Sequence, residues 1–334
     1  MFTLVATAKN EGPYIWEWVA HHKMIGFDNI IVFQNDSDDR TVEILTTLHD
    51  AGIIRYQDNS DVSSVHQIHA YIRASQFEEY KAAQWVMALD LDEFLCIKTP
   101  EATLDSLISF MPESADCITV NWKIFGNSGL TELSDELVTQ RFVLTELHRI
   151  VVNRLRPFKT LFKAANYQRP GVHRPVPLER AQSRTDEDVS RWVNGSGHTS
   201  DQFRIHGFRC SDSDVRRYAQ VNHYIVRDAA SFVLKNHRGS AHQAHREIGR
   251  DYWARLNLNH RFDRSIHATA ERLRESMREI DLATGGTVSK LTGEAREFHK
   301  TRFKELLRKP QPRALYYYCI ATPNLDASLS EEPK

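Results

Sequence analysis

The sequence has few cysteines, no long apolar run and almost no net charge. Its four cysteines lack CxxC or CxH spacing, so they indicate neither a zinc site nor a disulfide framework. No apolar run approaches the length of a membrane span, and no basic region precedes FTLVATA at the start, as it would in a secretory signal. A formal charge of -1 gives no bulk attraction to nucleic acid. We therefore expect a cytoplasmic protein with reduced thiols and no nucleic-acid partner.

The first hundred residues alternate between strand and helix patterns, in a chain long enough for one large α/β domain with or without an appendage. Strands are predicted at 2–8, 29–34, 53–57 and 85–89. Helices are predicted between them at 14–26, 41–52 and 63–81. This alternation predicts a parallel sheet with right-handed crossovers.

Polar clusters follow three of these predicted strands: KNEG after the first, NDSDD after the second and DLDEF after the fourth. The carboxyl ends of parallel strands meet at one edge of the sheet, where ligands bind in α/β folds. The sequence therefore predicts a ligand site built from these three loops.

The stretch WVMALDLDEFL, residues 85–95, carries an apolar strand directly into Asp90, Asp92 and Glu93. Three crowded carboxylates repel one another and are costly to desolvate, and a divalent cation would relieve both problems. Side chains at i and i+2 share one face of a strand, and carboxylate oxygens suit Mg²⁺ or Mn²⁺. Helix capping is the alternative, but a cap needs only one such residue.

The pattern is less regular after residue 100. A strand is predicted at 116–126 and one further element at 137–145. Residues 149–180 are basic, either as a solvated face or as a surface for an anion, and 183–213 have the composition of loops. From about residue 214 onward the pattern predicts helices, including 213–226, 229–239, 267–286 and 293–309.

The motifs NEG, NDS and DLDEF, with the Trp and His-His helix of 14–26, resemble family 2 glycosyltransferases. They resemble more closely a related bacterial group whose pattern is shared with family 92 galactosyltransferases. Further similarity lies in FK at 158–159 and in VNHYIVRDAASFVLKNHRG, where Lys235, Arg238 and Gly239 match and Asp228 stands in place of the group's serine.

The resemblance implies an α/β GT-A fold, a mostly parallel sheet flanked by helices with a helical C-terminal region. It divides the chain into a nucleotide-sugar-binding half at 1–125, an acceptor-side half at 126–240 and the helical region at 241–334. It also implies a nucleotide-sugar donor and an Mn²⁺ or Mg²⁺ ion that bridges the donor's diphosphate.

The resemblance implies the following donor-binding residues: Thr7, Ala8, Asn10, Glu11, Asn35, Asp36, Asp38, Gln67, Arg73, Asp90 and Lys159. A solvated helix face is the alternative for Arg73. The implied metal ligands are Asp90, Asp92 and His223, with His173 as the rival histidine. For His223 the alternative is a structural role on a helix.

An inverting enzyme needs a general base on the acceptor hydroxyl, opposite the leaving group. Asp186 and Asp188, with Glu187 between them, are the predicted candidates. Asp201 and Asp212 are competitors. Trp192 is predicted to stack on the acceptor sugar, with a place in the core as its alternative.

The predicted function is metal-dependent, inverting transfer of a hexose, most simply from a UDP-sugar, to a glycan or glycolipid acceptor. Peripheral membrane contact through the acceptor, at the inner face of the membrane, is part of this prediction. One alternative is a haloacid-dehalogenase-like phosphatase, which would use the aspartates of DLDEF as nucleophile and acid over Mg²⁺. That superfamily places its motif on an early strand and follows it with Gly-Thr. The other alternative is a sugar-binding protein without activity.

Overall fold

A computed structural model describes residues 1–62, 65–147, 156–178, 189–200, 202–205, 207–210, 214–238 and 248–325. Its strands are β1 (Phe2–Ala8), β2 (Asn29–Gln34), β3 (Arg55–Asp58), β4 (Trp85–Ala88), β5 (Glu93–Ile97), β6 (Cys117–Ile124), β7 (Leu144–Thr145), β8 (Arg156–Lys163), β9 (Tyr167–Arg169), β10 (Val176–Pro177), β11 (Trp192–Asn194), β12 (Arg209–Cys210), β13 (Ala219–His223) and β14 (Arg261–Phe262). Its α-helices are α1 (Ile15–Met24), α2 (Thr41–Asp50), α3 (His66–Ala74), α4 (Glu78–Lys81), α5 (Leu104–Ser109), α6 (Val138–Arg141), α7 (Gln202–Ile205), α8 (Ala229–Arg238), α9 (Arg250–Leu256), α10 (Ala270–Ala283), α11 (Thr287–Leu306) and α12 (Pro310–Ala321).

One twisted sheet organises the chain, with strand order β3-β2-β1-β4-β8-β6-β13-β5. The pairs β3–β2, β2–β1, β1–β4 and β6–β13 are parallel, whereas β8 runs antiparallel to both of its neighbours and β5 antiparallel to β13. Helices cover the sheet on both faces. The predicted α/β class and the predicted strand-and-helix alternation of the first hundred residues are confirmed.

Two predicted helices differ from the structure. The segment 63–81 holds two helices: α3 ends at Ala74, and α4 begins after Phe77, whose backbone is extended. The segment 213–226 contains strand β13, which is buried throughout and lies between β6 and β5. Strand neighbours on both sides satisfy the backbone of β13, and this tertiary pairing outweighs the local helical pattern.

Strand β8 lies inside the basic segment 149–180, where the sequence predicted no strand. It fills the gap between β4 and β6 and pairs with both. Its Phe158, Leu161 and Phe162 are buried, and so is Lys159. A solvated basic face therefore does not describe this part of the run.

Helix α1 is bound directly to strand β5. The indole of Trp18 donates to the Glu93 carbonyl at 2.8 Å, and His21 Nε2 donates to the Leu95 carbonyl at 2.8 Å. His22 Nδ1 donates in turn to the Trp18 carbonyl, also at 2.8 Å. Since β5 begins at Glu93, these bonds hold the strand that carries the end of the acidic cluster.

The C-terminal helices pack on the same side of the sheet as α1. Helix α10 lies against α1, α11 against α2 and α8, and α12 against α8 and α9. His299 of α11 is 2.7 Å from the buried carboxylate of Asp39, in the loop after β2. None of the helices in the described ranges is long and apolar enough to cross a membrane.

Acid should destabilise the protein through His21. Burial lowers the pKa of His21 from 6.5 to about 4, so the folded state keeps the ring neutral while the unfolded state takes up a proton. Stability is therefore lost as pH falls below about 6.5, by about 2 kcal/mol between pH 7 and pH 5 from this residue alone. Urea unfolding at both pH values measures the loss. In His21→Gln, which keeps a donor without titrating, the pH-dependent loss should shrink by that amount; an unchanged loss would contradict the role of His21.

Candidate functional site

The loops after β1 and β2 are joined by a reciprocal pair of hydrogen bonds. Asn10 donates through its amide to Asp38 Oδ1 at 2.8 Å, and the Asp38 backbone N–H donates to Asn10 Oδ1 at 2.8 Å. Asn10 and Asp36 both lie in the left-handed backbone region, with φ of 51° and 49°, which Asn and Asp tolerate better than most residues. Asp36 is exposed, and Thr7, Ala8 and Asn35 line the strand ends beneath these loops. The predicted nucleoside-binding residues therefore lie together.

Each aspartate of DLDEF is held by donors from other elements. Gln67 of α3 donates to Asp90 Oδ1 at 2.7 Å, and Lys159 of β8 donates to Asp90 Oδ2 at 3.1 Å. Lys235 of α8 donates to Asp92 Oδ2 at 2.7 Å, and His223 Nε2 of β13 lies 3.4 Å from Asp92 Oδ1. The fold thus brings α3, β8, β13 and α8 to the end of β4.

Lys159 and Glu93 lie beneath the aspartates, and both are fully buried. Burial alone would lower the pKa of Lys159, but Asp90 and Glu93, the latter at 3.2 Å, raise it well above its ordinary value. Burial raises the pKa of Glu93 well above its usual range, and the nearby aspartates add to this. For Asp92 the effect of burial is outweighed by Lys235 and His223, which hold its pKa well below the ordinary value.

Glu11 forms a buried ion-pair cluster with two arginines. Arg227 lies 3.0 Å and Arg238 2.7 Å from its carboxylate oxygens. Arg238 also donates to the Asn10 carbonyl at 3.0 Å, and the guanidinium of Arg227 lies 3.5 Å from the centre of the Tyr14 ring. Burial would raise the pKa of Glu11, but the two arginines lower it overall. Glu11, predicted to border the nucleoside, is placed 5% exposed in this cluster, which ties the loop after β1 to α8.

Asp92 and His223 are suited to hold a divalent cation. Their facing atoms are 3.4 Å apart, and two adjacent ligands of an octahedral Mg²⁺ lie about 3 Å apart. The ring of His223 is held edge-on by Trp122, with centroids 4.4 Å apart. Among the described residues no three His, Cys, Asp or Glu side chains form a group that could hold a metal by themselves. The two ligands therefore suit a cation whose other positions are filled by phosphate and water, as Mg²⁺ sites commonly are.

Other predicted residues lie in different surroundings. Arg73 pairs with Asp61 at 2.6 Å near the surface. Trp192 is 2% exposed, donates to the Tyr167 hydroxyl at 2.8 Å and packs on Phe203, so the structure places it in the core without a face open to an acceptor sugar.

His173 Nδ1 donates to the Phe158 carbonyl at 2.9 Å, and its ring stacks on Phe208, so these contacts fix its orientation. Asp228 accepts from the Ser231 backbone N–H at the start of α8 and pairs with Arg141 at 2.8 Å, which gives it a structural role. The candidate bases Asp186, Glu187, Asp188, Asp201 and Asp212, together with Gly239, lie outside the described residues.

Sequence reasoning did not assign a contact to Lys235 or Arg227. For Lys235 a signal existed, because Lys235 and Arg238 are three residues apart and share one face of α8. For Arg227 no local signal existed, since its place depends on the meeting of α8 with the loop after β1.

Residues 8–191, more than half of the chain, match the model of glycosyltransferase family 92. The chain belongs to glycosyltransferase family 92. A family 92 protein of Oryza sativa subsp. japonica is 26% identical over 156 residues, which are 43% of this chain and 25% of that protein. The chain spans about a quarter of the length of the curated relatives it matches.

The family 92 chain is also similar to two solved structures. S. aureus TarS, residues 1–349, has a TM-score of 0.35 and 13% identity, covering 97% of this chain and 89% of its own. Glucosyl-3-phosphoglycerate synthase of Mycobacterium tuberculosis, solved with Mn²⁺, UDP-glucose and phosphoglyceric acid, has a TM-score of 0.28 and 14% identity over 49% of this chain and 57% of its own. The family match confirms the predicted resemblance, and together with the mostly parallel sheet it confirms the predicted GT-A fold class.

Replacing Glu11 tests the buried cluster. Glu11→Gln keeps the shape but leaves Arg227 and Arg238 without a charged partner, so the free energy of unfolding should fall by on the order of 3 kcal/mol. Glu43→Gln is the control, because Glu43 pairs with Arg40 at the surface and should change stability by less than about 0.5 kcal/mol. Chemical denaturation measures both, and equal small effects would show that the cluster contributes little.

Proposed function

We propose that this family 92 protein transfers a sugar from a nucleotide-sugar donor, a UDP-hexose, to a glycan or glycolipid acceptor with the help of Mn²⁺ or Mg²⁺. The observation that carries the proposal is the Asp92–His223 pair, set among Lys235, Arg227 and Arg238 at the edge where the loops after β1, β2 and β4 meet. Carboxylate and imidazole ligands beside lysine and arginine suit a cation that binds together with a diphosphate.

The donor would extend across this edge of the sheet. The base and ribose would lie at Asn10, Asp36 and Asp38, which stand at the ends of β1 and β2. The diphosphate would lie toward Lys235 and Arg238. In this arrangement Asp92 and His223 hold the cation, which would stabilise the negative charge that develops on the leaving diphosphate.

Asp90 and Lys159 have a supporting role in this proposal. Lys159 is bonded to Asp90 and lies against Glu93, and Gln67 is bonded to the other oxygen of Asp90. These bonds orient Asp90, whose side chain is 34% exposed and open to a ribose hydroxyl. The predicted role of Asp90 as a metal ligand remains a second proposal for this residue.

The inverting outcome, Asp186 or Asp188 as general base, and a cytoplasmic reaction on an acceptor at the inner face of a membrane complete the proposal and rest on the sequence. Membership of a glycosyltransferase family favours sugar transfer over the phosphatase alternative. The intact Asp-x-Asp motif with its histidine favours an active enzyme over a sugar-binding protein without activity.

Nucleotide binding should depend on the cation. In calorimetry, UDP should bind tightly with Mn²⁺ or Mg²⁺ and at least about tenfold more weakly in chelator, because the diphosphate then lacks the charge that links it to Asp92. AMP in the same buffers is a control for unspecific anion binding. Equal UDP affinity with and without the cation would contradict the metal role of Asp92 and His223.

Neutralising Asp92 should reduce transfer. Asp92→Asn keeps the size of the side chain and removes its charge, so donor-dependent transfer and UDP release should fall by at least a few hundred-fold, roughly 3–4 kcal/mol of barrier. Asp135→Asn removes an exposed carboxylate that pairs with Lys300 and should leave both rates unchanged. Circular dichroism checks that both variants fold. Retained transfer by Asp92→Asn would make the acidic cluster a structural element.

A further inference from the structure

The negative charge of Asp92 is already balanced within the protein by the ammonium group of Lys235. Its Nζ lies 2.7 Å from Asp92 Oδ2 and donates also to the Ile225 carbonyl at 2.8 Å. The lysine side chain is 18% exposed, and Asp92 is 14% exposed. The Coulomb attraction within a short, shielded ion pair of this kind is stronger than that within a pair at the surface.

The same compensation extends over the whole acidic edge. Lys159 faces Asp90 and Glu93, while Arg227 and Arg238 face Glu11. The carboxylates that the sequence places at the ends of β1 and β4 thus lie beside cations of β8, of α8 and of the loop before α8. Each carboxylate of this edge therefore has a cationic side chain of the protein beside it.

A divalent cation on Asp92 and His223 would therefore compete with Lys235. It would share a carboxylate with the ammonium group, and two cations a few ångström apart in a shielded site repel each other strongly. This repulsion is relieved if a dianionic group enters with the cation, because the ammonium group of Lys235 can then pair with that group instead of with Asp92.

Lys235 has a route by which it could reach such a group. It lines a cavity of ≈ 170 Å³ together with Asn10, Asp38 and Arg238. Two of the predicted nucleoside residues, Asn10 and Asp38, thus stand on the wall of the cavity that Lys235 borders. A nucleoside diphosphate held at Asn10 and Asp38 would bring its phosphates past Arg238 to Lys235.

We propose that Lys235 is an exchangeable counter-ion: it pairs with Asp92 through Oδ2 in the free protein, beside the cation's place between Oδ1 and His223, and passes to the donor's diphosphate when the cation and nucleotide bind. The inference rests on the proposed function and extends it to the order of binding. The cation binds weakly by itself because the ammonium group of Lys235 repels it. It binds tightly with the nucleotide, because the diphosphate draws Lys235 away from Asp92 while the cation replaces Lys235 as the partner of that carboxylate.

The test measures binding of Mn²⁺ alone by electron paramagnetic resonance, and binding of UDP in saturating Mn²⁺ by calorimetry. In Lys235→Met, Mn²⁺ without nucleotide should bind at least about tenfold more tightly than in the unaltered protein, because the competing charge is gone. UDP should bind at least about tenfold more weakly, because a diphosphate contact is gone. Lys235→Gln should shift both affinities in the same directions as Lys235→Met. It replaces Lys235→Met in the test if that variant does not fold.

Two controls separate this effect from a general change of charge. Lys300→Met removes a lysine of α11 that pairs with Glu297 and Asp135, and it should change neither the Mn²⁺ affinity nor the UDP affinity. Lys235→Arg keeps the charge and should keep Mn²⁺ binding weak.

Unchanged Mn²⁺ affinity in Lys235→Met and Lys235→Gln would overturn the proposal, and so would unchanged UDP affinity. Failure of the proposed function is distinguishable, because the unaltered protein would then bind no UDP even in saturating Mn²⁺.

Discussion

The compensation of the crowded carboxylates at the end of β4 is the constraint on which the rest of the structure depends. Asp90, Asp92 and Glu93 stand within four positions, where Lys159 pairs with Asp90 and lies against Glu93, and Lys235 pairs with Asp92. Lys159 reaches them from β8 and Lys235 from α8, so the antiparallel insertion of β8 and the docking of α8 are electrostatic as well as packing requirements. The site exists because strands distant in sequence supply its positive charge.

This dependence also explains how much of the fold was predictable. β1, β2 and β4 are local apolar runs bounded by turn residues, and their ends could be read to within a residue. β8 and β13 could not, because they carry Lys159, Gln220, Asn222 and His223 in the sheet. These polar side chains are buried; Lys159 donates to Asp90, Gln220 to Asn222 on the same strand and to Asp263, and Asn222 to the Tyr224 hydroxyl. Hydrophobic periodicity does not indicate a strand whose buried polar side chains are stabilised by tertiary contacts.

The candidate site divides in the same way. The carboxylates and the loops after β1 and β2 were predictable, since they follow strand ends that meet at one edge. The surroundings of Glu11 were not: only the fold shows that two arginines of the α8 region bury it. The place of Trp192 was not predictable either. A tryptophan in a polar segment looks the same in the sequence whether its ring packs on a sugar or, as here, on Tyr167 and Phe203.

Charge compensation changes what removal of Asp92 means for stability. If the acidic cluster were uncompensated, neutralising one carboxylate would relieve repulsion and stabilise the protein without metal. In the structure Asp92 has a lysine at 2.7 Å and a histidine at 3.4 Å, so its removal leaves Lys235 shielded and dependent on the Ile225 carbonyl. The loss of a partner outweighs the relief of repulsion for a shielded pair. The carboxylates are therefore bound to the fold by the same lysines that surround the site, and chemistry and stability cannot be separated at Asp92.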